Sequence, residues 1–222
     1  MNEALPPDLP GGVAAALGTL RHALADPLSA AGVKLELLDR RLAAAPAEVL
    51  SLADRVRGVK ADLAAAGRLI DLLPRLAGIA AEPAGETSLG ELCRVAGSPL
   101  EGDSAGRSRL RLRRVATTDA LRSLVWFLRS RDPEGRSPRL HEDSASGQVA
   151  LRIEGLGGSG EAHPDRLFRL PHGQERAEDL FLARASIESD GGRLQLVERE
   201  GRLVALLSWP GPADAGEGGP DL

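Results

Sequence analysis

His22 and Asp26 are the residues whose types and spacing most readily support chemistry. A helix advances about 100° per residue, so positions four apart share a face, one turn from each other. There a carboxylate can orient an imidazole through one ring nitrogen and leave the other free as a nucleophile or base. The same wheel sets His22 almost opposite Leu17, Leu20, Leu24 and Leu28, which predicts that the imidazole faces solvent. A lone exposed histidine is more often inert than reactive, so the pair by itself does not define an activity.

Other chemical candidates are weaker. His141, His163 and His172 lack a zinc-ligand spacing and read as surface residues. Cys93 is the single cysteine, which leaves no disulfide framework and no thiolate metal site and fits a reducing compartment, the cytoplasm by default. Gly155-Leu156-Gly157-Gly158-Ser159-Gly160 is either a plain loop or a phosphate cradle. Arg107, Arg109, Arg111 and Arg113 share one face of a strand, which is either solvated or a contact for an acidic partner.

The elements that must carry these residues follow from periodicity. Val13, Leu17, Leu20, Leu24, Leu28, Ala31, Leu35, Leu38 and Leu42 recur at spacings of three and four and predict one long amphipathic helix. Pro27 inside it is either a kink beside His22 or the place where two helices meet. After Ala45-Pro46-Ala47 a second helix carries the heptad seam Val49, Leu52, Val56, Val59, Leu63, Ala66, Ile70 and Leu73. Two such helices with a short connection should lie antiparallel. They bury too little alone, and periodicity leaves open whether a second copy completes a four-helix bundle or the rest of the chain covers them.

Glu82 to Glu86 reads as a linker, after which the pattern becomes mixed. Short helices are expected over Ser88 to Ala96, from an N-cap at Thr118-Asp119 through Leu128, and over Leu180 to Ser189. Strands are expected over Arg107 to Val115, Val149 to Glu154, Arg193 to Glu198 and Leu203 to Trp209, the last two joined at Glu200-Gly201. The fold class is therefore α+β. Residues 10–80 would form the helical hairpin, 84–210 a mixed α/β domain, and 211–222 a disordered Gly, Pro and acid tail.

Composition limits the function classes. Hydrophobic residues are 42% and charged residues 27%, a globular inventory, and aromatics at only 2% leave the core to Leu, Val, Ile and Ala. The net charge of -4 offers no general attraction for nucleic acid. No apolar run reaches the length of a membrane span, and the first residues lack a secretion signal's basic start and apolar run.

Leu20-Arg21-His22-Ala23-Leu24-Ala25-Asp26-Pro27-Leu28 and Lys34-Leu35-Glu36-Leu37-Leu38 resemble the H-box helix of bacterial histidine kinases, with His, Pro and Leu at that family's spacing. Gly67-Arg68-Leu69-Ile70-Asp71-Leu72-Leu73 looks like the family's second helix. The remainder resembles the kinase ATP-binding domain in element order and element lengths, which implies an ATPase-like α/β sandwich, with its nucleotide motifs eroded. Phe127 and Arg131 stand where asparagines would help hold metal and phosphates. Leu156 stands where an aspartate would accept from the adenine amino group. Ala177 and Asp179 replace glycines of the second glycine box, and acids there would repel a triphosphate. Ala23 replaces the acid that usually follows the histidine, and Asp26 stands where receiver dephosphorylation uses Thr or Asn, whose side chains can donate.

The resemblance implies a degenerate kinase, nearest to the histidine phosphotransferases of the ChpT kind. Such a protein is a homodimer that relays a phosphoryl group between response-regulator receiver domains. His22 would be the nucleophile, Asp26 an orienting group, and Arg21, Leu28 and Ser29 part of the receiver dock. It would hold no cofactor of its own, magnesium belonging to the receiver. The rival is a non-enzymatic pseudokinase that scaffolds or inhibits a kinase or receiver.

Overall fold

The computed structural model describes residues 9–44, 49–101, 108–145, 148–158 and 177–211. His163, His172, Arg107, Ser159, Gly160, the Ala45-Pro46-Ala47 interruption and all of the tail after Gly211 lie outside them.

The first apolar stripe forms a single helix, α1 (Gly11–Ala44), which runs through Pro27 without a break. Pro27 is buried, in line with Leu20, Ala31 and Leu38. Lacking an N–H, it leaves the Ala23 carbonyl, one residue past His22, without its helical donor. The second stripe forms α2 (Val49–Ile70) and α3 (Leu72–Ala81), separated at Asp71. The expected seam through Leu73 is thus interrupted. Pro74 cannot donate to the Ile70 carbonyl, and in the first turn of α3 its missing N–H costs nothing.

Contacts of α1 with α2 and α3 run in opposite order along the chain. The Lys34 ammonium donates to Asp62 at 2.7 Å, and Leu20 shares a cluster with Leu69, Leu72 and Leu76. Ala31, Leu38 and Val59 form a small separate cluster farther along.

The α/β part begins with β1 (Gly85–Ser88), antiparallel to β2 (Arg109–Leu112). The last two residues of the expected linker, Gly85 and Glu86, therefore belong to a strand. Ser88 caps α4 (Leu89–Val95), its hydroxyl accepting from the Glu91 N–H at 3.4 Å. β2 is shorter than expected because α5 (Arg114–Ser130) starts at once, four residues before the anticipated cap. Thr118 lies buried inside α5 and donates to the Arg114 carbonyl. Capping comes from afar: Glu82 accepts from Val115 and Ala116 N–H at 2.6 and 2.9 Å, and Asp190 from Arg113 N–H at 2.9 Å.

β3 (Arg139–Ala145), which the sequence pattern does not announce, and β4 (Gln148–Gly158) precede α6 (Ala177–Ser189), β5 (Arg193–Arg199) and β6 (Arg202–Pro210). These four strands form an antiparallel sheet in the order β3-β4-β6-β5. Glu200 and Gly201 both take positive φ, 52° and 73°, in the two-residue turn between β5 and β6. Alternate residues such as Leu151, Ile153, Ala205, Leu207 and Trp209 meet Leu121, Leu124 and Leu128 of α5 and Ile187 of α6 in the main core.

Candidate functional site

α1 positions His22 by burying the opposite side of the helix. Val13, Ala16 and Leu20 are 1%, 5% and 1% exposed and pack with Leu76 of α3 and Phe181, Leu182 and Ala185 of α6. Two residues beyond Leu20, roughly 200° around the helix, His22 is exposed as expected. Asp26, Arg21 and Ser29 are exposed too, and Leu28 is half exposed. His22 and Asp26 thus share an open face. No hydrogen bond joins them, so any orienting by Asp26 requires a side-chain movement.

The other sequence candidates are placed differently. His141 is half-buried on β3, with Nε2 at 3.8 Å from Glu101. Arg109 and Arg111 point to solvent between buried Leu110 and Leu112. Arg113 does not join them. Its guanidinium, 13% exposed, pairs with the fully buried carboxylate of Asp190 and donates to the Ser189 carbonyl at 2.9 Å. Burial, and secondarily the charge of Glu142, pushes the Cys93 thiol up to about 12, leaving it unreactive as a thiolate.

The positions that the resemblance ties to nucleotide hold side chains with other contacts. Phe127 is 5% exposed within the main core, and Arg131 stacks over its ring at 5.0 Å. Leu156 is half-buried on β4. Asp179 accepts from Arg75 at 3.1 Å, and Glu178 lies 3.8 Å from Arg68. These ion pairs were not legible in the sequence, although acids in the first turn of a helix are a general signal for favourable placement. A cavity of about 420 Å³ lies among α3, α5 and α6, walled by Ile79, Ala116 and Leu182; His22 does not line it. Among the described residues, no group of three or more His, Cys, Asp or Glu is arranged to hold a metal, and no helix is long and apolar enough to cross a membrane.

No family model matches the chain, and no curated protein does. Solved structures do. The crystal structure of histidine kinase ThkA in complex with the response regulator protein TrrA aligns with a TM-score of 0.51 at 16% identity, over 90% of this chain and 62% of that one. The fold is histidine-kinase-like. The catalytic domain of ThkA (TM-score 0.48, 17% identity, 58% of this chain and 95% of that one) and the Acinetobacter baumannii histidine kinase AdeS (0.47, 15%, 85% and 97%) also match. At such identities the likeness is one of fold. The exposed face of His22 and Asp26 is therefore a feature of this chain's own residues within a histidine-kinase-like fold.

Proposed function

We propose that this chain is a histidine phosphotransferase that relays a phosphoryl group between receiver-domain aspartates without using ATP. The observation that carries the reading is the presentation of His22: exposed beside Asp26, on the side of α1 opposite its buried contacts. The Nε2 lone pair attacks the phosphorus of a receiver's aspartyl phosphate. The P–O bond to aspartate breaks, the carboxylate leaves, and an N–P bond forms; attack by a second receiver's aspartate reverses these steps. Asp26 would accept from Nδ1–H and stabilise the charge that develops on the ring. Positioning is most of what phosphoryl transfer asks of a protein, and any magnesium would be the receiver's.

ATP use is disfavoured by the residues themselves. Phe127 in the core, Leu156 and the committed Asp179 offer no metal ligand, adenine acceptor or phosphate cradle. Response-regulator receivers are the partners this reading requires, and the ThkA neighbour was solved with one. A homodimer belongs to it as well. Residues 10–80 would act as the helical hairpin, in which Leu35 of α1 and Val56, Leu63 and Ile70 of α2 stay 38% to 50% exposed, the last three at heptad spacing, a stripe a second copy would cover. Residues 84–210 would then serve as a retained, ATP-independent α/β part.

The test is incubation, without nucleotide, with a panel of phosphorylated receivers. One of them should pass an acid-labile label to the chain, His22→Ala should abolish it, and Asp26→Ala should slow it. A receiver that binds tightly while phosphate never reaches His22 would refute the transferase and favour a scaffold.

A further inference from the structure

The side of α1 opposite His22 rests on α6, and the contact is built closely. A Cβ placed on Gly12 would lie 2.4 Å from both the Ala185 carbonyl oxygen and the Ser189 nitrogen, so backbone meets backbone and only glycine fits. From the next residue to two turns on, Val13, Ala16 and Leu20 share a buried cluster with Phe181, Leu182 and Ala185. At the opposite end of α6, Glu178 and Asp179 reach Arg68 on α2 and Arg75 on α3. α6 thereby packs on α1 along much of its length and reaches α2 and α3 through ion pairs at its N-terminal end.

We propose that α6 is a brace for the phosphoacceptor helix, with Gly12, Leu20 and Phe181 as positioning residues that act on His22 through α1. The proposal rests on the phosphotransferase reading. A receiver docking on His22 presses α1 toward α6, because the two contacts lie on opposite sides of one helix. In-line attack tolerates little displacement of the nucleophile, so a closely fitted contact between α1 and α6 keeps the imidazole on line. The apolar contact supplies the holding. The Arg68 and Arg75 pairs, each with an arginine more than half exposed, set the register and contribute little strength.

The experiment uses the full chain and two phosphodonors. Phosphoramidate is small enough to label an exposed histidine without docking; a phosphorylated receiver that labels the wild type reports aligned transfer. Gly12→Val and Phe181→Ala should raise hydrogen exchange in residues 13–20 and 181–185 and lower kcat for transfer from the receiver about tenfold or more. Receiver KM and labelling by phosphoramidate should stay within about twofold. Because Gly12→Val could disturb folding, the milder Leu20→Ala supplies an independent arm, in which receiver kcat falls while labelling by phosphoramidate stays within about twofold. Unchanged receiver kcat in variants whose exchange shows an opened contact overturns the brace. An equal loss with both donors overturns it too, since that is general damage. A wild type that takes phosphate from no receiver is a different result and defeats the transferase reading itself.

Discussion

Asp190→Ala tests the arrangement at the start of α5. The carboxylate is fully buried and accepts from the Arg113 backbone N–H at 2.9 Å, from the Arg113 guanidinium and from the Thr117 hydroxyl at 3.2 Å. Its loss leaves a guanidinium that is only 13% exposed with the Ser189 carbonyl as its remaining acceptor. Breaking a buried ion pair from one side costs about 3–5 kcal/mol, whereas a surface pair is worth about 0–1. Whole domains have roughly 5–15 kcal/mol of stability, so the single variant should lose a large share of it. Removing both charges, as in Arg113→Met with Asp190→Ala, strands no cation and should cost only about 1–2 kcal/mol, chiefly the lost helix cap. Urea unfolding followed by circular dichroism at 222 nm, with m-values compared, measures both. A single variant that loses less than about 1 kcal/mol, or a double variant less stable than the single, would show that burial of this pair does not decide stability.

Hydrogen bonds from Arg136, helped by the backbone amides of Glu134 and Arg136, hold the Asp132 carboxyl at about 2. An unfolded aspartate titrates at about 3.9, so this group's stabilisation is complete above about pH 4 and vanishes as pH falls through 2. Asp132→Asn should flatten the stability profile across that interval, and an unchanged slope would refute the assignment. Leu63, half exposed within the heptad stripe of α2, should be covered in a dimer. Sedimentation equilibrium is expected to give twice the chain mass for the wild type and a monomer for Leu63→Glu; a monomeric wild type would remove the bundle.

The helical half of the fold was legible because its signal is local. Spacings of three and four fixed α1, and the same wheel foretold that His22 would be exposed. Turn chemistry was equally plain at Glu200-Gly201. What escaped depends on distant partners. β3 reads Arg-Leu-His-Glu-Asp-Ser-Ala, with Leu140 as the one core residue among those whose burial is described, and becomes a strand because β4 supplies the ladder. α5 begins early because Glu82 and Asp190, 33 and 77 residues away, cap it. Arg113 was placed with the solvated arginines for the same reason: strand alternation knows nothing of a carboxylate beyond the next helix. In the candidate site, His22 and Asp26 could be found from spacing. The dependence of their helix on Gly12 could not, since a glycine near a helix start has no local signature for contact with another backbone.

The strand order β3-β4-β6-β5 bears on synthesis as well as on the finished molecule. β6 is made after the other three strands yet lies between β4 and β5, so nothing joins those two until it arrives. As the chain leaves the ribosome, β3 and β4 can pair early, but the other edge of β4, with Val149, Leu151 and Ile153, stays open until residues 202–210 emerge. At roughly 5–20 residues per second, the stretch from Gly158 to Pro210 takes some seconds to make. During that interval a free apolar edge is a template for pairing with another chain. A chain broken off between Gly158 and Arg202 keeps that edge permanently, which makes such interrupted products of this protein the aggregation-prone ones even where the helix that carries His22 has already formed.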